Sequence, residues 1–322
     1  GHILAAGQAV ADVFTGERFA AGVLSGEEQA GLEQSRITPP DAVRLDVPDW
    51  ILPALQQALG DGLEDNLAAL QKRAPLDLRV NVKKTDVAHA RSALAKDNIE
   101  CVTVAGAPNA LRVTENPRRV ALSGAYQSGV IEIQDAGSQA VVDMLPLAKV
   151  TSVLDYCAGG GGKTLAMAAL ANDAVRFDAY DRNKARMKDL GARAKRAGAK
   201  VQTLQTDPVL AGKTYDLVLL DAPCSGTGAW RRNPDGKWRF TDDDLRDLVN
   251  TQAKILADTQ SLVAPDGVLA YVTCSLLQQE NETQLEAFLA GHEGWVLIRS
   301  KRFHPSDGSD GFFVALFKKT QL

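Results

Sequence analysis

The 322-residue chain is 45% hydrophobic and 24% charged, an ordinary make-up for a globular protein with room for about two domains. Its net charge of −4 argues against a protein that simply coats nucleic acid, because phosphate binding needs a basic surface. No apolar run approaches the roughly 20 residues that a bilayer-spanning helix needs, and no signal-peptide pattern is present. The four cysteines, Cys101, Cys157, Cys224 and Cys274, are widely spaced with no CxxC pair, and the four histidines are scattered. That pattern excludes a disulfide framework and a zinc ribbon, and no metal site is expected. Free thiols suit a reducing compartment, so a cytoplasmic protein, acting as a monomer, is expected. The chain opens on Gly1-His2 rather than Met, which reads as a piece of something longer.

In chain order, residues 1–47 read as a helix or two and a proline-containing linker. Residues 48–146 read as a small α+β, RNA-binding-like domain. Its expected elements are amphipathic helices near Asp49–Leu59 and Leu63–Lys72, a strand at Leu76–Val82 and a helix near Asp86–Lys96. Two further strands are expected near Ala110–Thr114 and Gly129–Gln134. From about Val150 the rhythm changes to strand, glycine or acid, then helix. Strands are expected at 151–156, 175–181, 200–207, 215–221 and 267–273, with a final pair at 295–300 and 311–319 that has no helix between them. Alternation of this kind predicts a Rossmann-like, doubly wound α/β sheet over residues 147–322, closed at one edge by an antiparallel hairpin.

The first strand-to-helix turn of that sheet reads "LDYCAGGGGKT", with Cys157, Ala158, Gly159, Gly160, Gly161, Gly162 and Lys163 in the turn. Successive glycines let backbone approach a ligand closely, and a helix start favours polar or anionic groups. A GxGxxG fingerprint from Gly159 fails at Thr164. A GxxxxGK[ST] P-loop ending in Gly162-Lys163-Thr164 fails at Cys157. Asp181, Asp207 and Asp221 each close a predicted strand. A carboxylate at Asp181 can accept from both ribose hydroxyls of a nucleoside, and Asp207 can reach an adenine amino group. Three acids around a glycine turn suit a neutral or cationic nucleoside better than a triphosphate. S-Adenosylmethionine, with its ribose, adenine and sulfonium, meets that description, although any single strand-end aspartate is as commonly a helix cap.

Cys224 in "YDLVLLDAPCSGTG" and Cys274 in "GVLAYVTCSLLQQEN" each come after a buried-strand run. They are therefore expected at the carboxyl ends of strands, where open α/β sheets bind ligands. Cys101 and Cys157 read instead as small buried hydrophobes. Two basic groups stand out. One runs from Arg182 to Lys200. The other lies just past Cys224, with Arg231, Arg232, Lys237 and Arg239 beside Trp230 and Trp238, a mixture that suits RNA contact.

"DAPCSGTG" (221–228), "TCS" (273–275) and the upstream "CAGGGGKT" together resemble the Sun-type (NSUN, RsmB-like) family of RNA 5-methylcytosine methyltransferases. The resemblance runs from about Val47 to Lys319. It takes in "RAPLDLRVN", "GVIEIQDAGSQ", "RRNPDGKW" and "DGFFVALFKK", and departs from the family's usual CAAPGGKT at Gly159 and Gly160. It implies a class I methyltransferase fold that uses S-adenosyl-L-methionine on ribosomal or transfer RNA, with ribosomal RNA favoured. It further implies that Cys274 attacks carbon 6 of a cytosine, that Asp221 bonds the base edge, and that Cys224 assists product release. Arg231, Arg232 and Lys237 would rim the RNA pocket. Two other readings stay open at this point: a P-loop NTPase, and a non-catalytic RNA-binding or ribosome-assembly factor that keeps the fold.

Overall fold

Alternating side chains along the strands set out the architecture. In the computed structural model, residues 9–17, 19–34 and 39–320 are described. Residues 1–44 form a unit of their own. It contains short helices at Val10–Val13 and Asp41–Arg44 and a longer one at Gly26–Gln34. The last is capped reciprocally, Ser25 Oγ accepting from Glu28 N and Glu28 accepting from Ser25 N. Part of the expected linker, Ser35–Thr38, lies outside the described residues.

Residues 45–322 form a second unit built on two sheets. The smaller sheet contains β1 (Asp77–Val80), β2 (Cys101–Val104), β3 (Ala107–Val113) and β4 (Ile131–Ile133), ordered β2-β3-β1-β4 and antiparallel throughout. The helix Val87–Lys96 lies between β1 and β2 and is capped by Asp86, which accepts from His89 N at 2.8 Å. β2 has no counterpart among the expected strands. The expected helices near residues 49–72 are present as Leu52–Leu59 and Leu63–Gln71.

β1 shows how this sheet docks. All four of its residues are buried, not just alternate ones. Leu78 and Val80 enter the core of the small sheet with Leu94, Ile99 and Leu111. Asp77 and Arg79 face the other way. Asp77 takes a bidentate bond from Arg112 at 2.7 and 3.0 Å. Arg79 donates to the Gly162 carbonyl at 2.8 Å, at the start of the glycine-turn helix. Asn81, just beyond, donates to the Ala197 carbonyl at 2.8 Å. The two sheets therefore meet across a polar, hydrogen-bonded seam.

The larger sheet holds β5 (Ser152–Asp155), β6 (Arg176–Ala179), β7 (Val201–Thr203), β8 (Tyr215–Asp221), β9 (Val263–Thr273), β10 (Trp295–Phe303) and β11 (Phe312–Lys319). Its order is β10-β11-β9-β8-β5-β6-β7. The five strands from β9 to β7 are parallel, and β11 and β10 complete the edge antiparallel, in keeping with the missing helix. Leu217 and Leu219 of β8 pack to one face with Val141 and Met167, while Val218 and Leu220 pack to the other with Leu256 and Phe288. Helices thus cover both faces, the requirement of a parallel sheet. The helix Ala136–Asp143 is a further element that the sequence pattern does not predict. It falls in the stretch that reads as the small domain, yet its Val141 and Val142 belong to the core of the large sheet while Ala136 packs with Ala107 and Ala110 of the small one. It therefore bridges the two.

The seam is tightest at Gly129, whose φ of +71° disfavours any side chain and whose missing Cβ would lie 2.0 Å from the Arg196 carbonyl oxygen. Gly129→Ala is expected to destabilise the protein by about 3 kcal/mol. The check is a lower urea midpoint at unchanged slope; a midpoint equal to wild type would refute close docking at this point.

Candidate active site

The parallel register of β8 and β9 pairs Asp221 with Val272, and Ala222 N donates to the Val272 carbonyl at 2.9 Å. Both strands then run out together, and the two loops beyond them carry the two thiols. Cys224 Sγ lies 3.4 Å from Cys274 Sγ, and Cys274 N donates to Cys224 Sγ at 3.3 Å. The contact with Cys274, reinforced by burial, pushes the Cys224 thiol up well above its ordinary value, so that it stays protonated at neutral pH. Its own proton is available to the neighbouring sulfur.

Below the sulfurs sits a buried polar network to which the sequence motifs assign no role. Glu280, fully buried, accepts from Ser225 N at 2.8 Å and from Gln252 Nε2 at 2.9 Å, and also from the Ser225 and Ser275 hydroxyls. Asn281 ties the Cys274 loop to its strand, accepting from Thr273 Oγ1 at 2.6 Å and donating to the Ser275 carbonyl at 2.9 Å. Nothing in the sequence signals this network, since Glu280 stands in an ordinary polar stretch, Gln278-Gln279-Glu280-Asn281.

Beside the thiols, Asp221 accepts from Lys163 Nζ at 2.7 Å. Burial pulls the Lys163 ammonium down, but Asp221 outweighs it and the net shift is upward, so the lysine is held charged. The sequence points to Lys163 only as part of the cofactor turn. Its pairing with Asp221 also removes the cation that a P-loop would offer to phosphate.

The turn itself starts at Cys157. Gly159 and Gly161 adopt left-handed φ, and at Gly161 a Cβ would fall 2.1 Å from Leu190 Cδ1, so the packing admits only glycine there. Asp181 fastens the turn, accepting from Gly159 N at 2.9 Å and from Asn183 N at 2.8 Å. Cys157 is pushed up by burial and by Asp155, Asp221 and Asp181, which keeps it an inert thiol. Asp207 corrects an expectation. β7 stops at Thr203, so Asp207 lies beyond the strand and caps the short helix Pro208–Ala211, accepting from Val209 N at 3.0 Å and from the Tyr156 hydroxyl at 3.0 Å.

The basic residues need a larger correction. Arg231 and Arg232 both pair with Asp310, and Arg232 also with Asp135 at 2.8 Å; the Arg231 side chain is only 4% exposed. Lys237 is buried against Asp46. These three charges are internally neutralised and brace the loop after Cys224, so a free basic rim made of them is not what the fold presents. Trp230 is likewise core, whereas Trp238 is exposed. In the other basic group, Arg193 and Arg196 pair with Glu132 of β4, leaving Arg182, Lys188, Lys195 and Lys200 exposed. Among the described residues no three His, Cys, Asp or Glu side chains converge as metal ligands would, and no helix is long and apolar enough to cross a membrane.

A glycine turn after the first parallel strand, acids beyond the next strands and an antiparallel strand inserted next to the edge define a Rossmann-like methyltransferase fold. Comparison with known proteins narrows it. The profile of the 16S rRNA methyltransferase RsmB/F family matches residues 142–318, and that of the RsmF/B-like ferredoxin-like domain matches residues 47–120. The chain belongs to the RsmB/F family. A probable ribosomal RNA small subunit methyltransferase B of Synechocystis sp. is 32% identical over 299 residues, covering 84% of this chain and 66% of that protein. Ribosomal RNA small subunit methyltransferase B of Klebsiella pneumoniae is 35% identical over 248 residues, covering 76% of this chain and 57% of that protein. The chain thus spans between about three fifths and two thirds of the length of these relatives. The solved structure of PH0851 superimposes with a TM-score of 0.82 at 30% identity, over 90% of this chain and 71% of that one.

Asp155 lies under the turn, fully buried, accepting from Thr164 Oγ1 at 2.6 Å while its Oδ1 has no partner. Burial pushes its carboxyl up to about 7. The folded protein therefore keeps a proton that the unfolded chain releases near pH ~4, and stability falls as pH rises between those values. Asp155→Asn removes this loss, so its melting temperature relative to wild type is expected to rise from pH 5 to pH 8. A difference that stayed constant across that range would count against the buried neutral acid.

Proposed function

We propose that this protein transfers a methyl group from S-adenosylmethionine to carbon 5 of a cytosine in RNA, with ribosomal RNA the favoured substrate. The observation that carries the proposal is the pair of sulfurs, 3.4 Å apart at two adjacent strand ends, next to the Lys163–Asp221 pair. Family membership supports the substrate class, and the relatives' names specify ribosomal RNA of the small subunit.

Carbon 5 of cytosine is a weak nucleophile. Addition of the Cys274 thiolate to carbon 6 makes the ring an enamine, whose electrons then attack the sulfonium methyl, and the cofactor departs as the neutral thioether. Asp221, steadied by Lys163, accepts from the exocyclic amine and from N3 once N3 takes up a proton, which neutralises the charge the thiolate brings to the ring as the adduct forms. Release requires loss of the carbon 5 proton and departure of the Cys274 sulfur with its bonding electrons. Cys224 is the group assigned to that proton: a thiol at the start, it first gives up its own proton to solvent, and its sulfur, a strong base because its pKa is raised, then takes the carbon 5 proton. For the donor, Asp181 is assigned to the ribose hydroxyls, Asp207 to the adenine amino group, and residues 157–163 to the methionine portion. The target base must leave its stack to reach the thiols.

Two measurements test this. Asp181→Ala is expected to weaken S-adenosylmethionine binding by about 1.5–3 kcal/mol in calorimetry, since a charge-assisted hydrogen bond and the fastening of the turn are both lost. Binding of magnesium–ATP with none of S-adenosylmethionine would instead revive the P-loop reading. Cys274→Ala should abolish methylation and trap nothing. Cys224→Ala should accumulate a protein–RNA adduct that survives a denaturing gel, and the double variant should behave as Cys274→Ala, because the two act in sequence on one intermediate. Adduct with Cys274→Ala instead would exchange the two roles, and full activity in both variants would end the covalent mechanism.

A further inference from the structure

The two thiols come from loops separated by 50 residues, and neither loop is regular structure. Strand pairing fixes them only as far as Ala222 and Val272. Past those residues the loops bond each other, Gly228 N donating to the Cys274 carbonyl at 2.9 Å and Leu276 N to Thr227 Oγ1 at 2.7 Å, and one side chain holds both from below. Glu280 Oε1 takes the backbone N–H of Ser225, immediately after Cys224, and the amide of Gln252. Glu280 Oε2 takes the hydroxyls of Ser225 and of Ser275, immediately after Cys274. Gln252 in turn donates to the Pro223 carbonyl at 2.9 Å, on the other side of Cys224. The Ser225 N–H and the Gln252 amide NH2 can only donate, so Oε1 must be an acceptor, whereas the two hydroxyls at Oε2 can turn to donate or to accept. Among the described residues no cation pairs with this carboxylate. A fully buried carboxylate without a cationic partner is costly unless each oxygen is saturated, and here each oxygen is.

We propose that Glu280 is a positioning residue for methyl transfer: by bonding the residue after each cysteine it locks the two loops so that both sulfurs address one substrate base. This rests on the reading that the two cysteines act on one cytosine. Glu280 does not touch the substrate, and acts only through the two loops. Removing its carboxylate loosens the residues that follow both cysteines together, because Ser225 and Ser275 lose the same partner. The consequence is a loss of sulfur register while the cofactor turn, at the end of β5, stays in place.

Phenylarsine oxide reads sulfur register directly. Its arsenic condenses with two close thiols, forming two As–S bonds while its oxygen leaves as water, so it reports the pair without RNA. Wild-type protein is expected to bind one equivalent, lost in Cys224→Ser. Glu280→Ala should weaken capture at least 10-fold and lower kcat for RNA methylation at least 30-fold, with KM for RNA and S-adenosylmethionine affinity within about 2-fold of wild type. Glu280→Gln, which keeps an acceptor oxygen for Ser225 N and Gln252, should restore capture to within about 3-fold. If Glu280→Ala does not fold, as judged by its melting curve, the double variant Ser225→Ala/Ser275→Ala removes the same hydroxyl ties and should show the same loss of capture. Capture and kcat at wild-type levels in the folded variants would overturn the proposal. A folded variant that loses KM and cofactor affinity along with kcat would overturn it too, by showing a general structural role. If capture changes in the expected order but wild-type protein methylates no RNA, the positioning stands and the assigned reaction fails.

Discussion

Two sulfurs 3.4 Å apart can come from different strands only if those strands are neighbours in fixed register, and the pairing of β8 with β9 supplies this. With Asp221 opposite Val272, Pro223-Cys224 and Thr273-Cys274 leave the sheet at the same height and on the same edge. A slip of one residue would reverse the facing of every side chain on β9, sending Tyr271 into the opposite core and Cys274 away from Cys224. Register is secured because both faces are buried: Val268, Ala270 and Val272 fill one core while Leu269 and Tyr271 fill the other. The Tyr271 hydroxyl, donating to the Glu280 carbonyl at 2.7 Å, ties that register to the network beneath the thiols.

Around this pair, charge is distributed so that little of it is free. Lys163 answers Asp221, Arg231 and Arg232 answer Asp310, and Lys237 answers Asp46. The last three pairings remove cations that the sequence would offer to RNA and use them to brace a loop at the site, while Lys163 reads in the sequence as part of the glycine turn. Partnered in this way, buried charges hold geometry, whereas leaving one partner alone would be strongly unfavourable. The helices at Leu52–Leu59 and Leu63–Gln71 add an apolar counterpart. Leu55 and Leu67 pack with Trp230, Leu276 and Leu277, so the chain just past each cysteine is anchored in a common core.

The small sheet is coupled to the glycine turn by polar contacts of the same kind. Arg79 of β1 reaches the carbonyl of Gly162, and Glu132 of β4 gathers Arg193 and Arg196 from the basic helix. A sheet that reads as a separate domain is therefore part of the wall behind the glycine turn.

The sequence by itself determined the strand-and-helix rhythm, the glycine turn, the edge hairpin and the two thiol-bearing strand exits. Those features are local: periodicity, glycine conformation and a missing helix are all written in short stretches of chain. It also supplied a motif set sufficient for the family. Tertiary structure alone decided what each polar side chain faces. Arg231 and Arg232 read as a basic rim because their partner, Asp310, lies almost eighty residues away. Asp207 reads as a strand end because a three-residue strand and a helix cap look alike in sequence. Glu280 carries no signal of its importance, since four donors from three separate segments converge on it only after β8 and β9 pair and the helix Asp242–Thr259 packs across them. Partner identity across long loops depends on the whole fold closing, and no local pattern encodes it.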